Sequence, residues 1–165
     1  MNLAMYFSAD LYNLKPISVN KAYANSFGKH GRMKTRDYLE FEYEVTKQLD
    51  LLAIRELYRK EIKDKRCPLE LNFEFFYNVY KKNSDELSLT SGDVSNMIKP
   101  LEDILSNYMD FNDAQIMSVG AEKYQHENED DFRIEIGCWY VGDDKKLSEE
   151  LKEKHANYAK KLHSL

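Results

Sequence analysis

Leu3, Met5 and Phe7 alternate with Asn2, Ala4 and Tyr6, a two-residue period that predicts a strand over residues 2–9. From Asp37 the period changes. Tyr38, Phe41, Val45, Leu49, Leu52 and Leu57 recur at helical steps, with charged residues between them. This pattern predicts a helix, or a pair broken near Asp50, that runs to Asp64 and is stopped by Cys67-Pro68. Leu69, Leu71, Phe73, Phe75, Tyr77 and Val79 then alternate with Glu70, Asn72, Glu74 and Asn78, the clearest strand in the chain. A polar, Ser-rich loop to Gly92 leads into a second helix, Val94 to Asn107, with Ile98, Leu101, Ile104 and Leu105 facing inward. Ala114 to Tyr124 reads as a strand and Glu127 to Asp131 as an acidic hairpin tip. Phe132, Ile134, Ile136, Cys138 and Tyr140 form the last strand, with Trp139 on its other face. Beyond Gly142 a charged stretch carries a thin stripe of Leu147, Leu151, Tyr158 and Leu162, the pattern of a helix that is solvated or packs on a partner. The order of elements predicts an α+β fold, a mixed sheet of about four strands with two packed helices and a C-terminal helix. Residues 1–142 form the domain and 143–165 a charged extension.

A chain of 165 residues with twelve Tyr and eight Phe has enough apolar surface for one packed core. No apolar run approaches the roughly 18 residues of a membrane span, and Met1 to Asp10 lacks the marks of a signal peptide. Cys67 and Cys138 lie far apart and form no CxxC, which predicts free thiols and a cytoplasmic protein. No Cys/His cluster suggests zinc, and no Gly-rich phosphate cradle suggests a nucleotide cofactor.

The net charge of -5 argues against a nucleic-acid partner only when averaged over the chain. Residues 11–36 contain Lys15, Lys21, Lys29, Arg32, Lys34 and Arg36 and no acid. Screening cuts off remote charge within about 8–10 Å, so this stripe can hold phosphates in an acidic protein. With Gly28 and Gly31 about His30 it reads either as an irregular surface loop or as a flap along a DNA backbone, with Tyr23 or Phe27 near bases or sugars.

The candidate chemistry lies between Gly92 and Asp113. Asp93 precedes the second helix, Lys99, Glu102 and Asp103 share one of its faces, and Asp110 and Asp113 follow it. Carboxylates gathered from a helix start and a following turn suit Mg²⁺, which takes oxygen ligands and commonly meets a phosphate. A lysine beside them can stabilise charge developing on a phosphodiester. The same residues have plainer readings: Asp93 or Ser95 as a helix cap, and Lys99 with Glu102 or Asp103 as a solvated ion pair.

Asp93-Val94-Ser95-Asn96-Met97-Ile98-Lys99, then Asp103, then Asn112-Asp113-Ala114-Gln115, resembles the core of the RusA-type Holliday-junction resolvases. That family's pattern is Asp-x-Asp-Asn-x-x-Lys, an Asp four residues later, and Asp-Asp-x-Gln. Pro16-Ile17-Ser18-Val19-Asn20-Lys21-Ala22-Tyr23 resembles its Pro-x-Ser-x-Asn-x-x-Tyr element, and Lys34-Thr35 with Tyr38 its next one. The resemblance implies a RusA-like fold, a homodimer, and metal-assisted hydrolysis of branched DNA. Mg²⁺, or Mn²⁺ in its place, would be held by Asp93 and Asp113. Lys99 would stabilise the transition state, with Asp103 a supporting or alternative ligand. Asn20, Lys21, Tyr23, Lys29, Arg32, Lys34, Arg36 and Asn96 would contact DNA. Ser95 stands where the family has its second Asp, and Asn112 where it has the first Asp of its pair. The resemblance leaves two outcomes: Glu102 or Asp110 compensates for the carboxylate missing at Ser95, or the protein binds junctions without cutting them well. A third reading, an acidic protein-interaction module, rests on the net charge and the C-terminal stretch.

Overall fold

A computed structural model describes residues 2–25, 31–65, 68–89, 92–126 and 132–142. The expected hairpin tip at Glu127–Asp131, the helix beyond Gly142, Lys29 and Cys67 lie outside the described residues.

The strands are β1 (Asn2–Tyr12), β2 (Tyr23–Asn25), β3 (Arg32–Lys34), β4 (Leu69–Tyr77), β5 (Ile116–Gln125) and β6 (Arg133–Gly142). The helices are α1 (Val19–Ala22), α2 (Arg36–Leu51), α3 (Ile54–Lys65) and α4 (Val94–Met109), followed by a 3₁₀ turn at Asp113–Gln115. The fold is α+β, with a four-stranded mixed sheet in the order β1-β6-β4-β5. The basic stretch that reads as irregular contains structure of its own: α1 and a small antiparallel ribbon, β2 with β3.

The expected break near Asp50 is present. Ala53 takes a left-handed φ of 55°, and only Leu52 and Ala53 separate the end of α2 at Leu51 from the start of α3 at Ile54. The Tyr108 hydroxyl donates to Asp50 Oδ1 at 2.7 Å, fixing this corner to α4. The apolar stripe of α2 (Tyr38, Phe41, Val45, Leu49) is buried, as are Ile54, Tyr58 and Ile62 on α3. Leu69, Leu71, Phe73 and Phe75 of β4 and Ile134, Ile136 and Cys138 of β6 meet them, and Cys138 is a free, buried thiol.

β5 and β6 do not form the hairpin that their adjacency in sequence suggests. β5 runs parallel to β4, joined through α4, while β6 lies on the other side of β4, antiparallel to it and to β1. Burial explains the exchange. β6 offers fully buried apolar residues on one face and fits between two strands, whereas β5 buries none of its residues completely and takes the edge. On β6, Gly137 makes room for Trp139, since a Cβ there would lie 2.0 Å from the indole ring.

α4 is the crossover helix, and Met97, Pro100, Leu101, Ile104, Leu105, Ser106, Tyr108 and Met109 are its buried residues. Pro100 inside it has no N–H to give the carbonyl of Asn96, which normally costs a helix interior about 3 kcal/mol or more. The turn carrying Asn96 and Lys99 is therefore held by packing rather than by that bond.

Candidate active site

α4 presents its polar face on the side away from the core. Asp93 occupies the N-cap position, yet its side chain makes no capping bond. Its Oδ2 instead accepts a 3.4 Å hydrogen bond from Asn96 Nδ2, and the carboxylate is exposed. Behind it, Gly92 with φ 83° turns the chain into the helix, and Lys123 Nζ of β5 donates to the Gly92 carbonyl at 3.2 Å. Ser95 is exposed in the first turn, so the capping reading falls to neither residue's side chain.

Six residues along the chain from Asp93, Lys99 gathers the acids. Its ammonium lies 2.8 Å from Asp103 Oδ1, 3.3 Å from Asp113 Oδ2 and 3.9 Å from Glu102 Oε2. Two of these contacts follow from helix spacing, while Asp113 arrives by a separate route. After α4, Asp110 adopts a left-handed φ of 57° and reverses the chain. Asn112 then caps the 3₁₀ turn: its Oδ1 accepts from Ala114 N at 2.8 Å, and its own N–H donates to Gln115 Oε1 at 3.1 Å. Gln115 Nε2 donates in turn to the Ile62 carbonyl of α3 at 3.2 Å. Asn112 and Gln115 thus hold the turn that aims Asp113 at Lys99, a role that an amide fills as well as an acid.

The electrostatics follow from this arrangement. The Lys99 ammonium is held above its ordinary pKa, chiefly by the hydrogen bond to Asp103 and also by Asp113, so it stays charged. Glu102 is pushed up, first by burial and then by the negative charges of Asp113 and Asp103, with Lys99 opposing. Asp110 belongs to another group. It accepts from Arg59 Nη2 at 2.9 Å and from Lys63, both on α3, and these two cations lower its pKa. It is a clamp between α3 and the end of α4.

The basic arm meets this site through Tyr23. Its hydroxyl donates to Asp103 Oδ2 in a short hydrogen bond, and its ring packs on Tyr38 with centroids 5.3 Å apart. Lys34 Nζ sits 4.6 Å above the Tyr38 ring and 2.9 Å from Glu42. Thr35 joins the arm to α2, donating its hydroxyl to the Lys21 carbonyl at 2.6 Å and accepting from Tyr38 N. Asn20, Lys21 and Arg32 are exposed, and Arg36 pairs with Glu40 at 2.7 Å in the open. On the other side of the first turn of α4 lies a cleft of about 300 Å³ lined by Lys15, Tyr80, Lys81, Lys82, Met97 and Phe132 among others. Lys81 and Lys82, which the alternation of β4 marks only as the end of a strand, both line this cleft.

A family model for endodeoxyribonuclease RusA matches residues 13–137, most of the chain and every element just described except β1 and the second half of β6. The chain belongs to the RusA endodeoxyribonuclease family. No curated protein matches it. Membership makes it a relative of Holliday-junction resolvases, nucleases that act on branched DNA. The α+β architecture with a mixed four-stranded sheet agrees with the RusA-like fold expected from the motifs. Among the described residues no helix is long and apolar enough to cross a membrane, and no group of three or more His, Cys, Asp or Glu is arranged to hold a metal.

Proposed function

We propose that this protein is a Mg²⁺-dependent, structure-selective endonuclease that cuts Holliday junctions or related branched DNA. The observation that carries the reading is the Lys99 ammonium set between Asp103 and Asp113, on the helix that begins with Asp93. A lysine on an isolated surface helix needs no partner from another element, whereas Asp113 is delivered to it by a capped turn.

The donor set fits a hard cation. Asp93 and Asp113 offer exposed carboxylates, and Mg²⁺ is commonly held by one or two carboxylates together with substrate phosphates. When bound there, the ion would polarise the phosphate and lower the pKa of an attacking water. The chain's own residues do the rest. Lys99 offers N–H donors and positive charge to the phosphoryl oxygens as charge builds on them. Asn96 orients Asp93. Asn20, Lys21, Lys29, Arg32, Lys34 and Arg36 bind phosphates of the duplex arms. The exposed pairs Lys34–Glu42 and Arg36–Glu40 are weak in water and can be exchanged for DNA contacts. A two-fold homodimer would place two such sites on the two strands of a four-way junction.

Ser95 favours a second reading, a junction-binding protein that cuts weakly. A hydroxyl can ligate Mg²⁺ but brings no charge. Glu102 is the better compensator of the two considered, because it stands 3.9 Å from Lys99 while Asp110 is committed to Arg59 and Lys63.

A synthetic four-way junction separates the readings when it is incubated with the protein in Mg²⁺, Mn²⁺ or EDTA. Metal-dependent nicking that Asp93→Asn and Asp113→Asn each remove supports the nuclease. A salt-sensitive gel shift without nicking supports the binder, and absence of a shift at low salt sinks both. Ser95→Asp should raise the nicking rate if the missing carboxylate is limiting, and an unchanged rate would show that its place is already filled.

A further inference from the structure

We infer that Tyr23 and Asp103 are positioning residues for Lys99, forming one hydrogen-bonded chain that fixes the ammonium in place, and that Asp103 is not a metal ligand. The inference rests on the nuclease reading above and assigns roles within that site.

Both oxygens of Asp103 are engaged from opposite sides. Oδ2 receives the Tyr23 hydroxyl and Oδ1 faces the Lys99 ammonium at 2.8 Å. The same ammonium continues to Asp113 Oδ2 at 3.3 Å. A lysine on four methylenes has many rotamers, so a charge held at one point requires partners that are themselves fixed. Asp103 is fixed twice, by its place on α4 and by Tyr23. Tyr23 is fixed by its packing on Tyr38, a residue with no solvent exposure, and by the β2–β3 pairing of Tyr23 with Lys34. Burial and the bond to Asp103 both push the Tyr23 hydroxyl up, so it remains a proton donor across the working pH range. Asp113, by contrast, meets the lysine at its Oδ2 and keeps a side chain about half exposed, open to a metal or a phosphate.

The chain also joins the arm to the reacting centre. Lys21 and Lys34 flank Tyr23 on the α1 and β3 segments, so a DNA backbone that moves the arm moves the hydroxyl that holds Asp103.

The test is single-turnover nicking of a four-way junction by the full-length protein, for wild type, Tyr23→Phe, Asp103→Asn and the double variant. Tyr23→Phe should slow nicking about tenfold and Asp103→Asn about a hundredfold, since small misplacements of a catalytic group cost that much. The double variant should be no slower than Asp103→Asn alone, because Tyr23 acts through Asp103. Junction affinity and the Mg²⁺ concentration for half-maximal rate should stay within about twofold of wild type, the scatter of an uncoupled substitution. A raised Mg²⁺ requirement in Asp103→Asn would make Asp103 a ligand and overturn the inference, as would multiplicative losses in the double variant. A second readout does not depend on nicking: the ¹⁵N-lysine ammonium resonance of Lys99 in metal-free, DNA-free protein, assigned by its loss in Lys99→Arg. Tyr23→Phe should move that resonance toward those of solvated lysines, and an unmoved resonance overturns the role of Tyr23 even if the wild type proves unable to nick.

Discussion

Two acidic groups of similar size lie on opposite sides of this molecule. One surrounds Lys99 on α4. The other is a straight row across the face of the sheet opposite the described helices, in which Asp10, Glu135, Glu74 and Glu122 are direct cross-strand neighbours on β1, β6, β4 and β5. Neighbouring strands are about 4.8 Å apart, so the row sets like charges side by side, an arrangement that destabilises a sheet. Its compensation is local: Arg133 pairs with Glu135 at 2.8 Å, and the Tyr12 and Tyr124 hydroxyls donate to Asp10 and Glu122. The α4 group has a cation at its centre and a turn built to deliver one of its acids. Acid density alone does not mark a site. What distinguishes the α4 group is its central ammonium and the capped turn that brings Asp113 to it. A face lined by four carboxylates repels a DNA backbone, so on the nuclease reading proposed above the junction is expected on the α4 and arm side.

The sharpest way to break this contrast is to neutralise one acid in each group. Asp113→Asn, or Asp93→Asn, should lower the nicking rate by about 10²–10³-fold, the scale of removing one electrostatic partner of the transition state. Glu74→Gln should leave nicking unchanged. Equal losses from both groups, read by single-turnover assay, would erase the distinction.

Lys99→Met comes next, with a loss of about 10²-fold at unchanged junction affinity. A fall in affinity without a fall in rate would demote Lys99 to a phosphate-binding residue. Smaller again is the arm: removing Lys21 and Arg32 together should reduce the slope of log affinity against log salt by about 1.8, close to 0.9 for each phosphate that is no longer neutralised. An unchanged slope would remove these residues from the interface.

The sheet row gives the smallest effects, and they concern stability. Glu74→Gln should stabilise the fold by roughly 0.5 kcal/mol near neutral pH, measured by urea unfolding, because Glu74 has an acid on each side. Glu135 is pushed up by burial and then by Asp10 and Glu74. A carboxyl with a folded pKa above its unfolded one binds its proton more tightly in the fold. Its contribution is therefore unfavourable above the folded pKa and is relieved as pH falls through it toward the ordinary value of 4.5. The advantage of Glu74→Gln over wild type should shrink over that acid range, and a constant advantage would mean that repulsion is not its source.

Much of this architecture is legible in the sequence, because burial imposes a period. The stripe of α2, its break before α3 and the alternation of β4 follow from local patterning. Pairing does not. Alternation at Ile134, Ile136 and Cys138 shows that a strand has an apolar face, but not that β4 and β1 are its neighbours, so β6 reads as the partner of β5. The site divides in the same way. Lys99 and Asp103 meet because four residues make a helical turn, whereas Tyr23 reaches Asp103 across 80 residues of sequence. Asp110 and Asp113 look equivalent in the chain. The left-handed backbone at Asp110 separates them: its own side chain meets Arg59 and Lys63, and the reversed chain carries Asp113 to Lys99. Asn112 looks like a missing acid and instead caps the turn.

The most direct measurement is a crystal of the protein grown with Mn²⁺ and examined for anomalous scattering. The expected result is a peak coordinated by Asp113 and Asp93 beside the Lys99 ammonium, with Asp103 outside its coordination shell. A peak on the row of Asp10, Glu135, Glu74 and Glu122, or none near α4 at a Mn²⁺ concentration that supports nicking, would contradict it.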